Sequence, residues 1–328
     1  MLEHGGKLFD AMARYGGARD EWLDLSTGIN PQSYPAQVLP ENVWHRLPEA
    51  DPALVDAACA YYRVAQLLPV AGSQAAIGAL PRLRVASRVV IGAPAYAEHA
   101  HRWRRAGHEV VELPCAELEH ALDSCDVMVV CNPNNPTGDM VAPQVLQAWA
   151  ARLARRGGWL VVDEAFADVE PQRSVAANAP GLIVFRSLGK FFGLAGLRLG
   201  FAVAERDLLE ALADEIGPWS VSRAAQIVGT AALCDTAWQH DMRARLQRDG
   251  ARLKGLLGVH GMASQGCALF QWWDEPRAEA FAEHMARRAI LVRRFPGSGI
   301  RLGLPFHERD WQRLAWSLEE WFSGDMKR

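Results

Sequence analysis

The 328-residue chain has no CxxC pair and no cysteine spacing of the metal-finger kind, although six cysteines are present: Cys59, Cys115, Cys125, Cys131, Cys234 and Cys267. Scattered in this way they read as reduced thiols in a cytosolic protein, with no catalytic part and no metal site. No apolar run approaches the length of a membrane span, so no membrane partner is expected. The opening Met1-Leu2-Glu3-His4-Gly5-Gly6-Lys7 lacks a signal-peptide core, which points to the cytoplasm. An excess of charge of one sign is missing too: 35 Lys and Arg face 38 Asp and Glu, a formal net charge of −3. That balance argues against nucleic acid as the main partner, while a small anionic ligand would need only a few local cations. Hydrophobic residues, by contrast, make up 50% of the chain. At this length they can bury a large core divided between a major and a minor domain rather than among repeats.

From about Gln66 to Val203 short apolar runs alternate with helical stretches. Segments 88–92, 126–130, 159–163, 182–185 and 198–202 each resemble a buried strand ending near a polar residue or glycine, and 143–155 has apolar spacing suited to a helix. Alternation of this kind predicts an α/β sheet with helices on both faces, in which ligands collect where strands end. After Glu205 the pattern changes to longer helical segments, 207–216 and 222–257, followed by apolar segments at 268–273, 290–293 and 299–302, which suggest a smaller α+β domain. The turn chemistry of Gly217-Pro218 marks the boundary. The expected organisation is an N-terminal segment, 1–30, packing on the small domain and active site, a large domain at 31–217 and a small C-terminal domain at 218–328.

The residues able to carry chemistry fall at the ends of the expected strands. Lys190, in Ser187-Leu188-Gly189-Lys190-Phe191-Phe192-Gly193 and eight residues ahead of Arg198, has the surroundings of an amine kept for covalent chemistry with an aldehyde cofactor. Gly72-Ser73-Gln74 follows the apolar 67–70 and opens a helical run, either as a phosphate cradle or as a plain N-cap serine. Arg198 offers a fork of donors to the same phosphate, and Ser187 a hydroxyl. Asp163 emerges at a strand's carboxyl edge, where it could keep a ring nitrogen protonated or simply cap a helix. Cys131-Asn132-Pro133-Asn134-Asn135-Pro136-Thr137-Gly138 is a turn by composition, just after a buried strand, with Asn135 a possible donor to a cofactor oxygen. Tyr96, also just beyond a strand, could stack on an aromatic ring or serve only in packing.

In their order and distance NPNNPTG, DEAF, SLGK and the later Arg198 resemble the pyridoxal phosphate enzymes of the aspartate-aminotransferase fold (fold type I), over nearly the whole chain. The resemblance implies a large domain with a mostly parallel central sheet plus a smaller α+β domain, usually in a homodimer, and pyridoxal 5′-phosphate as cofactor. It also implies roles: Lys190 condenses with the cofactor aldehyde, Asp163 pairs with the pyridine nitrogen, Asn135 contacts the ring hydroxyl and Tyr96 stacks on the ring. Ser73, Gln74, Ser187 and Arg198 hold the phosphate.

Within this fold the chain looks most like the threonine-phosphate decarboxylases of cobalamin biosynthesis and next like the histidinol-phosphate aminotransferases. The narrower likeness rests on His4-Gly5-Gly6 followed by Leu25-Ser26-Thr27-Gly28-Ile29-Asn30-Pro31. It implies that His4 helps bind a substrate phosphate, that Asn30 lies near the substrate carboxylate, that Arg301 grips that carboxylate and that Arg293 is a second anion-binding position. Adjacent Arg294 could serve instead, since neighbours on a strand point to opposite faces. Two positions depart from the wider pattern: Phe166 stands where many relatives have tyrosine, and Leu47 replaces the tyrosine of an RYP element. The reaction implied first is decarboxylation of L-threonine O-3-phosphate to (R)-1-amino-2-propanol O-2-phosphate, for the aminopropanol linker of cobalamin. Transamination of histidinol phosphate is second. A non-catalytic aminotransferase-like effector-binding protein is a remoter alternative that an intact Lys190 and Asp163 disfavour.

Overall fold

The computed structural model of the chain describes Leu2, residues 4–295, Gly297 and residues 299–325. By its internal contacts the chain divides into a larger unit, Ser33–Asn135 with Asp139–Met242, and a smaller one, Met1–Gln32 with Pro136–Gly138 and Arg243–Arg328. In chain order, α1 (Leu8–Tyr15) and β1 (Leu23–Asp24) belong to the smaller unit. The larger unit begins with α2 (Pro52–Tyr62), β2 (Leu68–Val70), α3 (Ser73–Ala79), β3 (Arg88–Ala93), α4 (Glu98–Arg105), β4 (Glu109–Pro114) and α5 (Leu118–Ala121). It continues through β5 (Val127–Cys131), α6 (Pro143–Ala154), β6 (Trp159–Asp163), β7 (Leu182–Ser187), β8 (Gly200–Val203), α7 (Arg206–Ile216) and α8 (Arg223–Cys234). The remaining elements are α9 (Thr236–Val259), β9 (Gln265–Cys267), β10 (Phe270–Trp273), α10 (Ala278–Ala286), β11 (Ile290–Leu291), β12 (Arg293–Phe295), β13 (Gly299–Gly303) and α11 (Glu308–Asp325).

The larger unit is an α/β fold built on a seven-stranded sheet in the order β2-β8-β7-β6-β5-β3-β4. Strand β8 runs antiparallel to both β2 and β7, and the pairs from β7 to β4 are parallel. Parallel strands covered on both faces need side chains that are apolar on both sides, which is why β5 reads Val-Met-Val-Val-Cys and is buried throughout. On one face Val89, Ile91, Val127, Val129, Val161 and Phe185 pack with Ala76, Trp103, Leu209 and Leu212 from α3, α4 and α7. Helix α2 starts where the Asp51 side chain accepts a 3.0 Å hydrogen bond from Ala53 N, with Pro52 in its first turn.

The five strands expected from apolar runs are all present, with ends shifted by a residue or two. Two further strands, β2 and β4, join the sheet at its two edges: β2 is only three residues of the apolar 67–70, with Pro69 inside it, and β4 carries Glu109 and Glu112 and is exposed or half-buried throughout, so neither reads as a buried strand. The single helix expected over 222–257 is two, because the Asp235 side chain accepts a 3.0 Å hydrogen bond from Trp238 N and starts a new helix at Thr236. The expected domain end at 217 differs from the observed division at Met242. The reason is α8, which packs on α2, while Gln226 accepts from Asp51 N at 2.8 Å and donates to Glu49 O at 3.0 Å.

In the smaller unit β12-β13-β10-β9 form an antiparallel sheet, and β1 pairs in parallel with β11. The expected N-terminal segment, 1–30, falls in this unit with the C-terminal residues. Residues 136–138 also belong to it, because Gly138, at φ +77°, lies so close to Gly266 that a Cβ there would stand 2.3 Å from its backbone carbon. Among the described residues no helix is long and apolar enough to cross a membrane.

Candidate active site

The sheet of the larger unit delivers its polar residues to one rim. The ends of β3, β5, β6 and β7 lead into Tyr96, Asn135, Asp163 and the Ser187–Lys190 turn, and the end of β2 leads into Gly72 and Ser73. Since β8 is reversed, its beginning lies at the same rim and brings Arg198 there. Ser73, Gln74, Tyr96, Asn135, Asp163, Ser187, Lys190 and Arg198, the whole cofactor set expected from the sequence, line a single cavity.

One end of this cavity is shaped for an anion. Gly72 has φ +70°, and a Cβ on it would sit 2.5 Å from Arg198 Nη2, so the guanidinium lies directly against bare backbone. Gly200 is as constrained, since a Cβ there would meet Ser73 N at 2.6 Å. Arg198 itself takes a left-handed φ of +57°, with Nη1 donating to Ala195 O at 3.0 Å. These contacts fix a cation beside a glycine turn and the Ser73 amide in a cavity that Ser73 and Ser187 also line, a donor set suited to a phosphate.

Gln74 is held from two sides: its Nε2 donates to Glu98 Oε2 at 2.7 Å, and its Oε1 accepts from the Tyr96 hydroxyl at 3.1 Å. Burial, with the charges of Glu98 and Asp163, pushes the Tyr96 phenol up to about 12, so it stays a neutral donor. The Asn132 side chain makes two hydrogen bonds to the Val141 backbone, and Asn134 Nδ2 donates to Pro94 O at 2.9 Å. Those two asparagines shape the turn, and Asn135 lines the cavity.

At the other end Asp163 Oδ1 accepts from Ala165 N at 3.0 Å and Oδ2 stands 2.9 Å from His99 Nε2. Both side chains are buried. His99 was not among the residues singled out from sequence. Its signal was spacing: three residues beyond Tyr96 at the start of a helix, it shares that residue's side, and the two rings meet edge-on at 6.0 Å. The Cys131 thiol is close to both His99 and Asp163. Burial, reinforced by the Asp163 charge, pushes it well above the usual thiol range, so it is a neutral neighbour.

Lys190 Nζ lies 5.3 Å from the centre of the Phe166 ring, which occupies the tyrosine position of the wider pattern and forms part of the cavity wall. On the opposite side of β7, the buried Arg186 bonds Glu164 and Asp168 and lies 4.6 Å over the Tyr62 ring. Burial works against the Arg186 charge, but Asp168 and Glu164 outweigh it and hold the guanidinium well above its ordinary value. This cluster ties the residue after Asp163 to the strand that carries Ser187, and it too was missed, because nothing in sequence separates a buried arginine from an exposed one.

The expected substrate residues His4, Asn30, Arg293 and Arg301 fall in the smaller unit. Arg293 and Arg301 are cross-strand partners in the β12-β13 ladder, so their side chains leave the same face. Arg294 pairs with Ile300 and turns the other way, its guanidinium 3.5 Å from Glu279 of α10. Arg301 is buried, and desolvation together with the Arg293 charge lowers it to about 10. Asn30 is buried, with Oδ1 accepting from Gln32 N at 3.0 Å. His4 is half-buried. In the larger unit, Leu47 is 64% exposed and contributes nothing to the cavity wall.

The chain belongs to the aminotransferase class I and II family, whose model matches residues 21–315. Within it, the chain is 55% identical to a threonine-phosphate decarboxylase of Pseudomonas aeruginosa over 97% of each chain. It is 44% identical to a threonine-phosphate decarboxylase of a Sinorhizobium species, again over 97% of each chain. Among solved structures it is similar to histidinol-phosphate aminotransferase from Sinorhizobium meliloti in complex with pyridoxal-5′-phosphate, with a TM-score of 0.83 over 98% of this chain and 96% of that one. At 21% identity that likeness establishes the fold alone.

Proposed function

We propose that this chain is a pyridoxal phosphate-dependent carboxy-lyase that converts L-threonine O-3-phosphate into (R)-1-amino-2-propanol O-2-phosphate and CO₂. The observation that carries the reading is 55% identity, end to end, with a threonine-phosphate decarboxylase. The donor set of the cavity fits the cofactor: a glycine turn, hydroxyls and Arg198 suit a phosphate, a buried carboxylate suits a pyridinium nitrogen, and one lysine suits an aldehyde. When bound, pyridoxal phosphate supplies a ring that takes up the electron pair left as the Cα–carboxylate bond breaks.

The chain's own groups do the rest. Ser73, Gln74, Ser187 and Arg198 would hold the phosphate, and Tyr96 and Asn135 would orient the ring. Asp163, braced by His99 and the Ala165 amide, keeps a proton on the ring nitrogen. Lys190 Nζ would be the amine that holds the aldehyde, and as a free amine it would be the group that returns a proton to Cα. Arg301 and Arg293, two cations on one sheet face, receive the substrate's anionic groups, with His4 and Asn30 completing the grip. Phe166, in the cavity wall, would offer no phenol to the cofactor at that position.

Purified, cofactor-loaded protein should release CO₂ from threonine phosphate and form no glutamate from histidinol phosphate plus 2-oxoglutarate. Glutamate without CO₂ would replace this reading with transamination.

A further inference from the structure

Resting on the reading above, we infer that Ser26 is a positioning residue that sets the spacing between the His4–Gly6 segment and Arg301, and so fixes the substrate length the site accepts. Its hydroxyl accepts from Gly6 N at 2.7 Å, and its carbonyl accepts from Arg301 Nη2 at 2.9 Å. One residue therefore touches both the segment that carries His4 and the arginine assigned to the carboxylate. Ser26 is in turn clamped by Asp24, whose Oδ1 accepts from the Ser26 hydroxyl at 2.6 Å and from Ser26 N at 2.9 Å.

The bracket is rigid for backbone reasons as well. Leu25 N donates to Leu291 O at 2.8 Å, and Gly303 N donates to Leu25 O at 2.7 Å, which pins the residue before Ser26 between β11 and β13. Gly5 packs so tightly on Ser26 that a Cβ there would stand 2.4 Å from its carbonyl oxygen. Ser26 is 1% exposed, so the hydroxyl has no water to exchange for these partners. Asp24 adds a negative charge that favours the charged form of Arg301, against burial and the Arg293 charge. A ligand gripped at one end by the His4 segment and at the other by Arg301 is thus measured against a fixed frame, which favours one separation of phosphate and carboxylate over longer or mono-anionic analogues.

The test is Ser26→Ala in the holoenzyme, read by steady-state kinetics on threonine phosphate and on homoserine phosphate, whose phosphate lies one bond farther from the carboxylate, by the visible absorbance of bound pyridoxal phosphate, and by melting temperature. The expected result is a KM for threonine phosphate raised about tenfold or more, with kcat within about threefold, a narrowed preference over homoserine phosphate, unchanged cofactor absorbance, and a melting temperature lowered by no more than about 5 °C. Gly5→Ala, whose added methyl group presses on the Ser26 carbonyl that Arg301 holds, should reproduce the KM change from the other side of the bracket. A wild-type KM and preference in both variants would overturn the inference, as would a parallel fall of kcat, cofactor occupancy and melting temperature, which marks a fold defect. If the wild-type protein itself releases no CO₂ from threonine phosphate, it is the functional reading that fails.

Discussion

Asp163 and His99 meet at 2.9 Å with both side chains buried, so the carboxylate that faces the cavity is oriented by an imidazole behind it. Replacing His99 by phenylalanine removes a hydrogen bond to a charged group, which is worth about 1.5–3 kcal/mol. If that energy is expressed in the transition state, kcat falls roughly ten- to a hundred-fold while the bound cofactor still absorbs in the visible. An unchanged kcat would show that the Ala165 amide alone orients Asp163.

Gly72→Ala should separate cofactor affinity from folding. The added methyl group would be 2.5 Å from Arg198 Nη2 on a backbone at φ +70°, so the anion cradle closes or shifts. The dissociation constant for pyridoxal phosphate, titrated into apoprotein, is expected to rise about tenfold or more, whereas pyridoxal, which has no phosphate, should bind almost as before. Equal losses for both ligands would argue against a phosphate grip at this end.

Arg301→Lys is not conservative here. Burial and the neighbouring Arg293 charge lower the arginine to about 10 and leave it charged at neutral pH. The same two causes acting on a lysine, which starts from a lower value, bring its loss of charge into the working range. The wild-type KM for threonine phosphate should therefore be flat between roughly pH 7 and 9, and that of the variant should rise with pH across this window. Parallel profiles would remove Arg301 from the anion site.

Arg186→Met leaves Glu164 and Asp168 facing each other in the core without their cation. Breaking a buried pair from one side costs about 3–5 kcal/mol, so melting should fall by roughly 10 °C in calorimetry. A melting temperature within about 2 °C of wild type would mean that the cluster relaxes without its arginine.

Tyr96 gives a pH test with a definite sign. Its folded value, about 12, lies above the ordinary 10.0, so the stability it contributes is complete below pH 10 and is lost as pH rises towards 12. Ultraviolet difference titration of wild type against Tyr96→Phe should show the missing phenol ionising near 12. A difference already present at pH 10 would contradict the buried setting.

The cavity of the larger unit was legible because its residues terminate strands that announce themselves as apolar runs. Asp163 follows Trp-Leu-Val-Val, and Asn135 and Lys190 lie just beyond similar runs. Strand β4 was not legible, since an edge strand half-open to water has no such run, and neither was the break at Asp235, where a side-chain cap rather than a helix breaker divides two helices. His99 and Arg186 were hidden because their importance comes from partners supplied by other strands. The choice between Arg293 and Arg294 as the partner of Arg301 depends on strand register, which a single sequence does not state and the β12-β13 ladder does.

The reversed direction of β8 has one more effect. The connection from Ser187 to Gly200 departs from one rim of the sheet and returns to it, so Lys190 and Arg198 are the two ends of a single short arch anchored at both feet. Lengthening that arch would disturb amine and guanidinium together, whereas a loop on the far rim reaches neither. A scan of short insertions along the chain should accordingly leave a silent gap across 188–199, a footprint of the cofactor written in tolerance rather than in sequence.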